Sequence, residues 1–325
     1  MKGFSFFCGA GGSSIGYKKG GIDIIGGCDI DLKQILTYQK YQKPKIMIND
    51  DVRSFLENDY SFMYNLDLID GSPPCTNFST SNIKRADKQF KELEYAEGAI
   101  NQKIEELTFV YLQIVYKYNP KFFVLENVVN LNKQYKSLLN DYVYKSKIQD
   151  KYELIYTYLN PSYFGAYTSR PRLFIIGFPK KSKYTLTNIN KTKFKMQDIS
   201  KILEWEPITS QSTLDVYQNL KKENKIKHFE KKIININEGI GVITTNPIFM
   251  HPEEPKQLTI RSLAKIQGFS YDFKGYSDSA IAYAIGMSVH PFCTNYIANI
   301  LLKYDDNTNN ILPLLNTDFE NDLFF

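Results

Sequence analysis

Residues that build metal sites and disulfide frameworks are scarce in this sequence. It has four cysteines, three histidines and one tryptophan among 325 residues. Cys8, Cys28, Cys75 and Cys293 lie far apart and form no CxxC pair, which is the spacing that many zinc sites use. We therefore expect neither a metal site nor a disulfide framework, and the composition fits a reducing cytoplasm.

Long apolar runs are also missing. No stretch approaches the roughly 20 apolar residues that a membrane helix requires. The apolar start at residues 3–8 breaks into glycines before it reaches the length of a signal sequence. Hydrophobic residues make up 43% of the chain and charged residues 23%, as in ordinary globular proteins. We expect a soluble, cytoplasmic protein without membrane contacts and with room for about two domains.

The net charge is small but unevenly distributed. The whole chain carries +5. Residues 180–260 contain 14 Lys, no Arg and nine acidic residues, whereas the other 244 residues contain 26 basic and 26 acidic residues. The excess of positive charge therefore lies in one Lys- and Asn-rich segment, and the rest of the chain is neutral.

Short apolar runs alternate with helical patterns in the first half of the chain. The runs predict strands at residues 3–8, 22–27, 45–48, 66–69, 122–125, 152–159 and 173–178, and the patterns predict helices at residues 13–19, 32–42 and 100–118. Later in the chain, a helix is predicted at residues 260–267 and a helical region at 279–303 that is interrupted at 286–288. This alternation predicts a parallel sheet with helices on both faces. Ligands of such sheets bind beyond the carboxyl ends of the strands, so the polar residues that follow these strands should converge.

A glycine loop follows the first predicted strand. Gly9, Gly11 and Gly12 let the backbone approach a ligand closely, and Asp29 after the second strand can accept ribose hydroxyls. Ser14 stands at the third glycine position of a dinucleotide fingerprint, so a nucleoside without a pyrophosphate fits better. S-adenosylmethionine is such a ligand, and Asp51 after the third strand is placed to bind its adenine. A glycine turn without a ligand is the alternative.

Cys75 and Glu126 are the candidate chemical groups. Pro73 and Pro74 fix the backbone before Cys75, so its thiol should be held rigidly at the ligand edge, although many lone cysteines are simply buried. Glu126 follows the fifth strand and is a candidate acid with a raised pKa, or else a neighbour of a helix cap. The arginines at 170 and 172 either cap a surface loop or orient an anionic or carbonyl-bearing substrate.

Six motifs in one order resemble the DNA (cytosine-5)-methyltransferases of bacterial restriction-modification systems, over nearly the whole chain. They are FCGAGG at 7–12, GSPPC at 71–75, ENV at 126–128, RPR at 170–172, LTIR at 258–261 with QGF at 267–269, and GMSV at 286–289. The resemblance implies a Rossmann-like α/β methyltransferase sheet that binds S-adenosylmethionine. It also implies a catalytic domain at 1–179 and 273–325, with a smaller target-recognition domain inserted at 180–272.

The resemblance also implies the chemistry. Cys75 would add to carbon 6 of a cytosine flipped out of duplex DNA. Glu126 would protonate ring nitrogen N3, Arg172 would hold O2 of the base, and Arg170 would support the same pocket. The cofactor-binding residues would be Phe7, Gly9, Ala10, Gly11, Gly12, Asp29, Ile30, Asp51, Val52, Pro74, Leu107, Ser288 and Val289.

Double-stranded DNA is the implied partner of the inserted segment. Its lysines would meet phosphates while other side chains read bases in the major groove. We expect a monomer on DNA and a cognate restriction endonuclease that acts on the same site. Three alternatives stay open: an exocyclic-amine DNA methyltransferase, a tRNA cytosine-5 methyltransferase and a non-catalytic DNA-binding protein.

The sequence departs from the family pattern at several positions. Thr168 stands where Gln is usual, Ser262 where Glu is usual, and Ala284 and Met287 where Gln and Asn are usual. The family's Asp-x-Arg-Gly before the helix at Leu107 is also missing. These changes put the affinity for the cofactor in doubt and not the chemistry on cytosine.

Overall fold

The computed structural model describes residues 1–74, 106–180, 185–189, 202–223, 225, 227–228, 231–234, 239–305 and 311–315. Among the described helices, none combines the length and the apolar character that crossing a bilayer would need.

A seven-stranded sheet forms the large part of the molecule. Its strands are β1 (Lys2–Phe6), β2 (Asp23–Asp29), β3 (Ile46–Asn49), β4 (Leu68–Gly71), β5 (Phe122–Val128), β6 (Tyr152–Leu159) and β7 (Arg172–Pro179), in the order β3-β2-β1-β4-β5-β7-β6. This order, with neighbouring helices on both faces, confirms the predicted Rossmann-like α/β class.

The prediction that the sheet is parallel is wrong for one strand. β7 runs antiparallel to both β5 and β6. Between β6 and β7 there are only residues 160–171, with a single 3₁₀ turn at Pro161–Phe164, whereas a parallel crossover usually contains a full helix. The chain therefore turns back as a long hairpin, and the start of β7 reaches the sheet edge where β5 ends.

Helices cover both faces of this sheet. The bounds are α1 (Gly12–Lys19), α2 (Leu32–Gln42), α3 (Ser54–Glu57), α4 (Leu107–Tyr118), α5 (Asn130–Lys133), α6 (Lys136–Ser146) and α7 (Ile148–Lys151), with a 3₁₀ turn at Ser61–Asn65. Successive strand residues point to opposite faces. Phe123 and Leu125 accordingly pack with α4 and α6, whereas Phe122 and Val124 pack with α1 and the last helix.

A second, smaller sheet lies later in the chain. It contains β9 (Trp205–Pro207), β10 (Lys227–His228), β11 (Lys231–Ile233), β12 (Ile248–Met250) and β13 (Lys256–Leu258), in the order β10-β11-β12-β13-β9. The helices of this region are α8 (Gln211–Lys222), α9 (Ile260–Ile266) and α10 (Asp278–Met287), and α11 (Pro291–Asp305) follows them. β8 (Thr185–Ile189) pairs in parallel with β14 (Ile311–Leu315).

The return of the chain to the large sheet occurs at α11. Phe273, Ile281 and Ile285 share one core cluster with residues of α9, whereas α11 packs with α1 against the large sheet. The expected boundary at 272/273 falls inside that first cluster. We therefore propose a boundary near residue 288, and we call the described residues between 202 and 287 the small domain.

Candidate active site

The glycine loop, residues 7–12, joins β1 to α1. Phe7, Gly9 and Gly11 have positive φ angles of 51°, 50° and 91°, and Gly11 caps the start of α1. The Gly9 N–H donates to Asp29 Oδ2 at 2.8 Å. Glycine adopts such angles without steric cost, so the loop can fold tightly at the carboxyl end of β1.

Asp29 lies at the end of β2 and supports this loop. Its second oxygen accepts the Asp31 N–H at 3.0 Å. Burial raises the pKa of Asp29 to about 6, although the N–H groups of Asp31 and Gly9 oppose the rise. The carboxylate therefore shapes the glycine loop, and its contact with a ribose stays a prediction.

The other predicted cofactor residues from β2, β3 and α4 surround this edge. Val52 and Leu107 are buried in one core cluster, against which Phe7 packs, while Ile30 stays exposed. Asp51 accepts the Arg53 backbone N–H at 2.9 Å and the Arg53 guanidinium at 2.8 Å. Its contact with adenine stays a prediction.

Ser288 and Val289 come from the far end of the chain to the start of α1. A Cβ at Gly12 would lie 2.4 Å from the Val289 carbonyl oxygen and 2.9 Å from Ser288 Cβ, which no side chain could tolerate without a shift. Thr294 donates to the Ser13 carbonyl at 2.9 Å. The structure thus brings the first and last predicted cofactor motifs together, and it explains why position 12 is glycine.

The loop that leads to Cys75 is anchored on two sides. Asn127 Nδ2 donates to the Pro73 carbonyl at 3.2 Å, and Ser72 Oγ donates to the Phe7 carbonyl at 3.5 Å. Pro74 is the last described residue of this segment, and Cys75 lies outside the described residues. The loop therefore leaves β4 between the glycine loop and the end of β5.

Glu126 and Arg172 form a shielded ion pair beside that loop. Arg172 Nε lies 3.2 Å from Glu126 Oε1, and the two side chains are only 17% and 10% exposed. Burial raises the pKa of Glu126, while the charges of Arg172 and Arg170 oppose the rise. The pair exists because β7 runs antiparallel, which brings its first residue next to the end of β5.

Arg170 contacts backbone groups of the small domain. Its guanidinium donates to the Ile243 carbonyl at 2.9 Å and to the Gly286 carbonyl at 2.8 Å, and its N–H donates to Asn160 Oδ1 at 3.1 Å. Arg170 therefore joins the entry of β7 to α10. That Arg170 supports a pocket for the base stays a prediction; any such support would act through these contacts.

Two of the residues that depart from the family pattern, Thr168 and Ser262, hydrogen-bond to backbone groups of the small domain. Thr168 donates to the Gly241 carbonyl at 2.9 Å. Ser262 donates to the Ile202 carbonyl and accepts the Glu204 N–H, both at 2.7 Å. Ala284 is buried, and Met287 at the end of α10 is 48% exposed. Thr168 and Ser262 therefore stabilise local structure in this protein.

Sequence reasoning missed Asp70. This buried carboxyl at the end of β4 accepts the Ser5 and Tyr17 hydroxyls, each at 3.0 Å. Burial raises its pKa to about 6, while hydroxyls from Ser13, Tyr17 and Ser5 oppose the rise. An aspartate inside an apolar strand was the available signal. Asp70 links β4, and so the loop toward Cys75, to the first turns of α1.

The arrangement has three parts at one sheet edge: a glycine loop with a carboxylate behind it, an acid–guanidinium pair, and the start of the loop that carries Cys75. Among the described residues, no three metal-ligating side chains form a cluster. This geometry can position a nucleoside next to a planar base that an acid and a guanidinium hold.

Comparisons with known proteins show the family and the fold of this chain. Residues 1–245 match the family model described as C-5 cytosine-specific DNA methylase. The chain is 25% identical to the Type II methyltransferase M.FnuDI of Fusobacterium nucleatum, over 86% of this chain and 87% of that protein. It is 26% identical to the Type II methyltransferase M.NgoPII of Neisseria gonorrhoeae, over 84% and 86%. Its fold is similar to a crystal structure of a Spodoptera frugiperda DNMT2 variant, with a TM-score of 0.68, 16% identity and coverage of 93% and 99%.

Proposed function

The chain belongs to the C-5 cytosine-specific DNA methylase family, and from this premise we propose how it acts. It transfers a methyl group from S-adenosylmethionine to carbon 5 of a cytosine that is flipped out of a specific double-stranded DNA sequence. A covalent Cys75 adduct carries the reaction. The observation that supports this most strongly is the shielded Glu126–Arg172 pair beside the loop that leads to Cys75.

The glycine loop fits the proposed cofactor. Residues 9, 11 and 12 lack Cβ atoms, and Gly9 and Gly11 have positive φ angles, so the loop turns tightly at the end of β1. Asp29 lies directly behind it. A nucleoside without phosphates suits such a loop, because Ser14 leaves the dinucleotide fingerprint incomplete. When bound, S-adenosylmethionine supplies an electrophilic methyl group.

Cys75 and Glu126 carry the proposed chemistry on the base. The Cys75 thiolate forms a bond to carbon 6, and Glu126 gives its proton to N3, so the electron pair moves to carbon 5. Carbon 5 would then be the nucleophile toward the methyl group of bound S-adenosylmethionine, with S-adenosylhomocysteine as the leaving group. Transfer of the carbon 5 proton to a water molecule would expel the Cys75 thiolate, restore the double bond between carbons 5 and 6, and return the N3 proton to Glu126.

Glu126 suits this role because burial favours its protonated form. Arg172 holds the carboxyl from one side and would donate to O2 of the base. Exocyclic-amine methylation needs neither an acid for N3 nor a thiol, so this pair favours carbon 5. The raised pKa of Glu126 therefore supports the same reaction as the geometry.

The small domain is the proposed DNA-recognition part. Lysines of residues 180–260 would neutralise phosphates, which makes binding depend on salt. We propose that the protein acts as a monomer on DNA and that a cognate restriction endonuclease cuts the same sequence. Flipping the target cytosine costs a few kcal/mol of unstacking, which contacts between the protein and the DNA would offset.

The test is the identity of the product. Full-length protein is incubated with mixed-sequence duplex DNA and methyl-labelled S-adenosylmethionine, and the nucleosides are separated by mass spectrometry. We expect 5-methylcytosine in the DNA and no label in tRNA that is offered in parallel. Label in N4-methylcytosine or N6-methyladenine would support the exocyclic-amine alternative. Label in tRNA alone would support the RNA alternative, and no label in either would support the non-catalytic one.

A further inference from the structure

The glycine loop is held from the small domain as well as from the large sheet. Ala10 is fully buried and belongs to the core cluster that contains Leu263, Phe269 and Phe273. Its carbonyl accepts a hydrogen bond from the Tyr271 hydroxyl at 3.0 Å. A residue 261 positions away in sequence thus contacts the loop where the cofactor is proposed to bind.

Gln42, at the end of α2, sets the direction of this hydrogen bond. Its Nε2 donates to the Tyr271 hydroxyl at 2.6 Å. A phenol has one proton to donate, and Gln42 occupies an acceptor position, so the proton of Tyr271 is left for the Ala10 carbonyl. Burial also raises the pKa of Tyr271, which keeps that proton in place.

The ring of Tyr271 is positioned independently of its hydroxyl. It stacks on Tyr41, with 4.2 Å between ring centroids and 9° between planes. Tyr41 donates to Asp272 Oδ1 at 2.7 Å, and Lys40 donates to the Lys274 carbonyl at 2.8 Å. Removing the Tyr271 hydroxyl should therefore leave the contact between α2 and the small domain in place.

The contact also limits the shape of the loop. A Cβ at Gly11 would lie 2.9 Å from Gln42 Cγ and 3.2 Å from the Tyr271 hydroxyl. The two side chains thus close over the outer side of the loop, while Asp29 bonds the Gly9 N–H within it. The Cys8–Gly9 peptide and the Ala10–Gly11 peptide are thus held by different parts of the molecule.

We propose that Tyr271 is a positioning residue for cofactor binding. Its hydroxyl, oriented by Gln42, holds the Ala10 peptide so that the glycine loop keeps the shape that binds the S-adenosyl nucleoside. This inference rests on the proposed function, which places the cofactor at this loop. Loss of one such hydrogen bond should weaken binding about threefold to tenfold.

The experiment measures the Kd of S-adenosylhomocysteine by calorimetry and kcat at saturating cofactor, on the full chain. Tyr271→Phe should raise the Kd about fivefold and leave kcat at saturating cofactor unchanged. Tyr41→Phe, which removes a hydroxyl from the other ring of the same stack, is the matched control and should keep the wild-type Kd.

A second pair of variants separates orientation from packing. In Gln42→Glu the carboxylate accepts the Tyr271 proton, which turns the hydroxyl away from Ala10, so the Kd should rise as in Tyr271→Phe. Gln39→Glu adds the same charge to an exposed position of α2 and should not change the Kd. Equal thermal unfolding midpoints for Tyr271→Phe and Tyr41→Phe are expected.

The outcomes are distinct. A wild-type Kd in Tyr271→Phe, or equal weakening in Tyr271→Phe and Tyr41→Phe, would overturn the inference and leave the proposed function intact. If wild-type protein did not bind S-adenosylhomocysteine, the proposed cofactor would be wrong, and the inference would fall with it.

Discussion

The charged side chains of the large sheet and those of the small domain differ in their exposure to solvent. At the edge of the large sheet, Glu126 and Arg172 are 10% and 17% exposed. In the small domain, Glu204 and Lys265 form a 2.7 Å ion pair with side chains that are 51% and 46% exposed. Exposed pairs of this kind contribute at most about 1 kcal/mol, whereas burial raises the pKa of Glu126 against the opposing charge of Arg172.

The buried carboxyls of the large sheet extend this contrast. Asp29 and Asp70 lie at the ends of β2 and β4, and burial raises the pKa of each to about 6. Asp272 of the small domain is exposed, and a hydrogen bond from Tyr41 lowers its pKa. Burial of these carboxylates at the edge of the large sheet therefore costs stability when they are ionised. The small domain keeps its charges hydrated and able to exchange partners.

The largest effect is expected when the shielded pair is broken. Glu126→Gln keeps the shape of the side chain but removes its proton, so kcat should fall about 10²- to 10⁴-fold. Glu204→Gln breaks the exposed pair and should change kcat less than about twofold. Steady-state methylation rates check both variants. A Glu126→Gln enzyme with more than a tenth of the wild-type rate would remove Glu126 from the mechanism.

The pH profile sharpens the same point. Because burial raises the pKa of Glu126, its protonated form persists to higher pH than that of an ordinary glutamate. The wild-type kcat should then decline as pH rises through that raised pKa, and this decline should be absent from the residual activity of Glu126→Gln.

A smaller effect is expected on stability when Asp70 is neutralised. Its folded pKa of about 6 exceeds the ordinary 3.8, so its contribution to stability is present below the ordinary value and is lost as pH rises through 6. Asp70→Asn should therefore gain about 2 kcal/mol relative to wild type between pH 4.5 and pH 7.5. Urea unfolding at the two pH values measures this difference.

Asp272→Asn is the matched control for that measurement. Because the pKa of Asp272 is lowered, its contribution is present at neutral pH and is lost on acidification. The variant should therefore lose stability relative to wild type as pH rises, which is the opposite sign. A change of the same sign in both variants would contradict the contrast between the two regions.

The smallest effect is expected on DNA binding. In the double variant Lys222→Gln with Lys225→Gln, loss of up to two phosphate contacts should reduce the slope of log K against log salt by up to about 2. Lys45→Gln with Lys121→Gln removes two lysines that precede β3 and β5, at the amino edge away from the site. Filter-binding titrations at several salt concentrations would show equal slopes in both double variants if the small domain did not meet phosphates.

The sequence predicted the position of candidate residues that follow apolar runs. Gly9, Asp29 and Glu126 were expected at one sheet edge from the rule that ligands bind at the carboxyl ends of strands, and the structure has them there, whereas Asp70, which also follows such a run, was missed. Arg172 precedes its strand, so its approach to Glu126 depended on the reversed direction of β7. The short connection between β6 and β7, which has no room for a crossover helix, indicates that reversal.

Other site features could not be predicted because their partners are distant in sequence. Tyr17 lies 53 residues from Asp70, and Tyr271 lies 261 residues from Ala10. No local period or motif records such contacts. The interruption predicted at residues 286–288 separates α10 from α11, but the sequence does not show that the two helices pack against different cores.

The most direct test of the central claim is covalent trapping on DNA that contains 5-fluorocytosine. Fluorine at carbon 5 cannot leave as a proton, so the Cys75 adduct should persist after methyl transfer. With S-adenosylmethionine, the wild-type protein should form a complex with the DNA that survives denaturant. Cys75→Ala should form none while still binding S-adenosylhomocysteine, and Cys293→Ala should be trapped as wild type. A wild-type complex that dissociates in denaturant, or an equal yield from Cys75→Ala, would contradict covalent catalysis by Cys75.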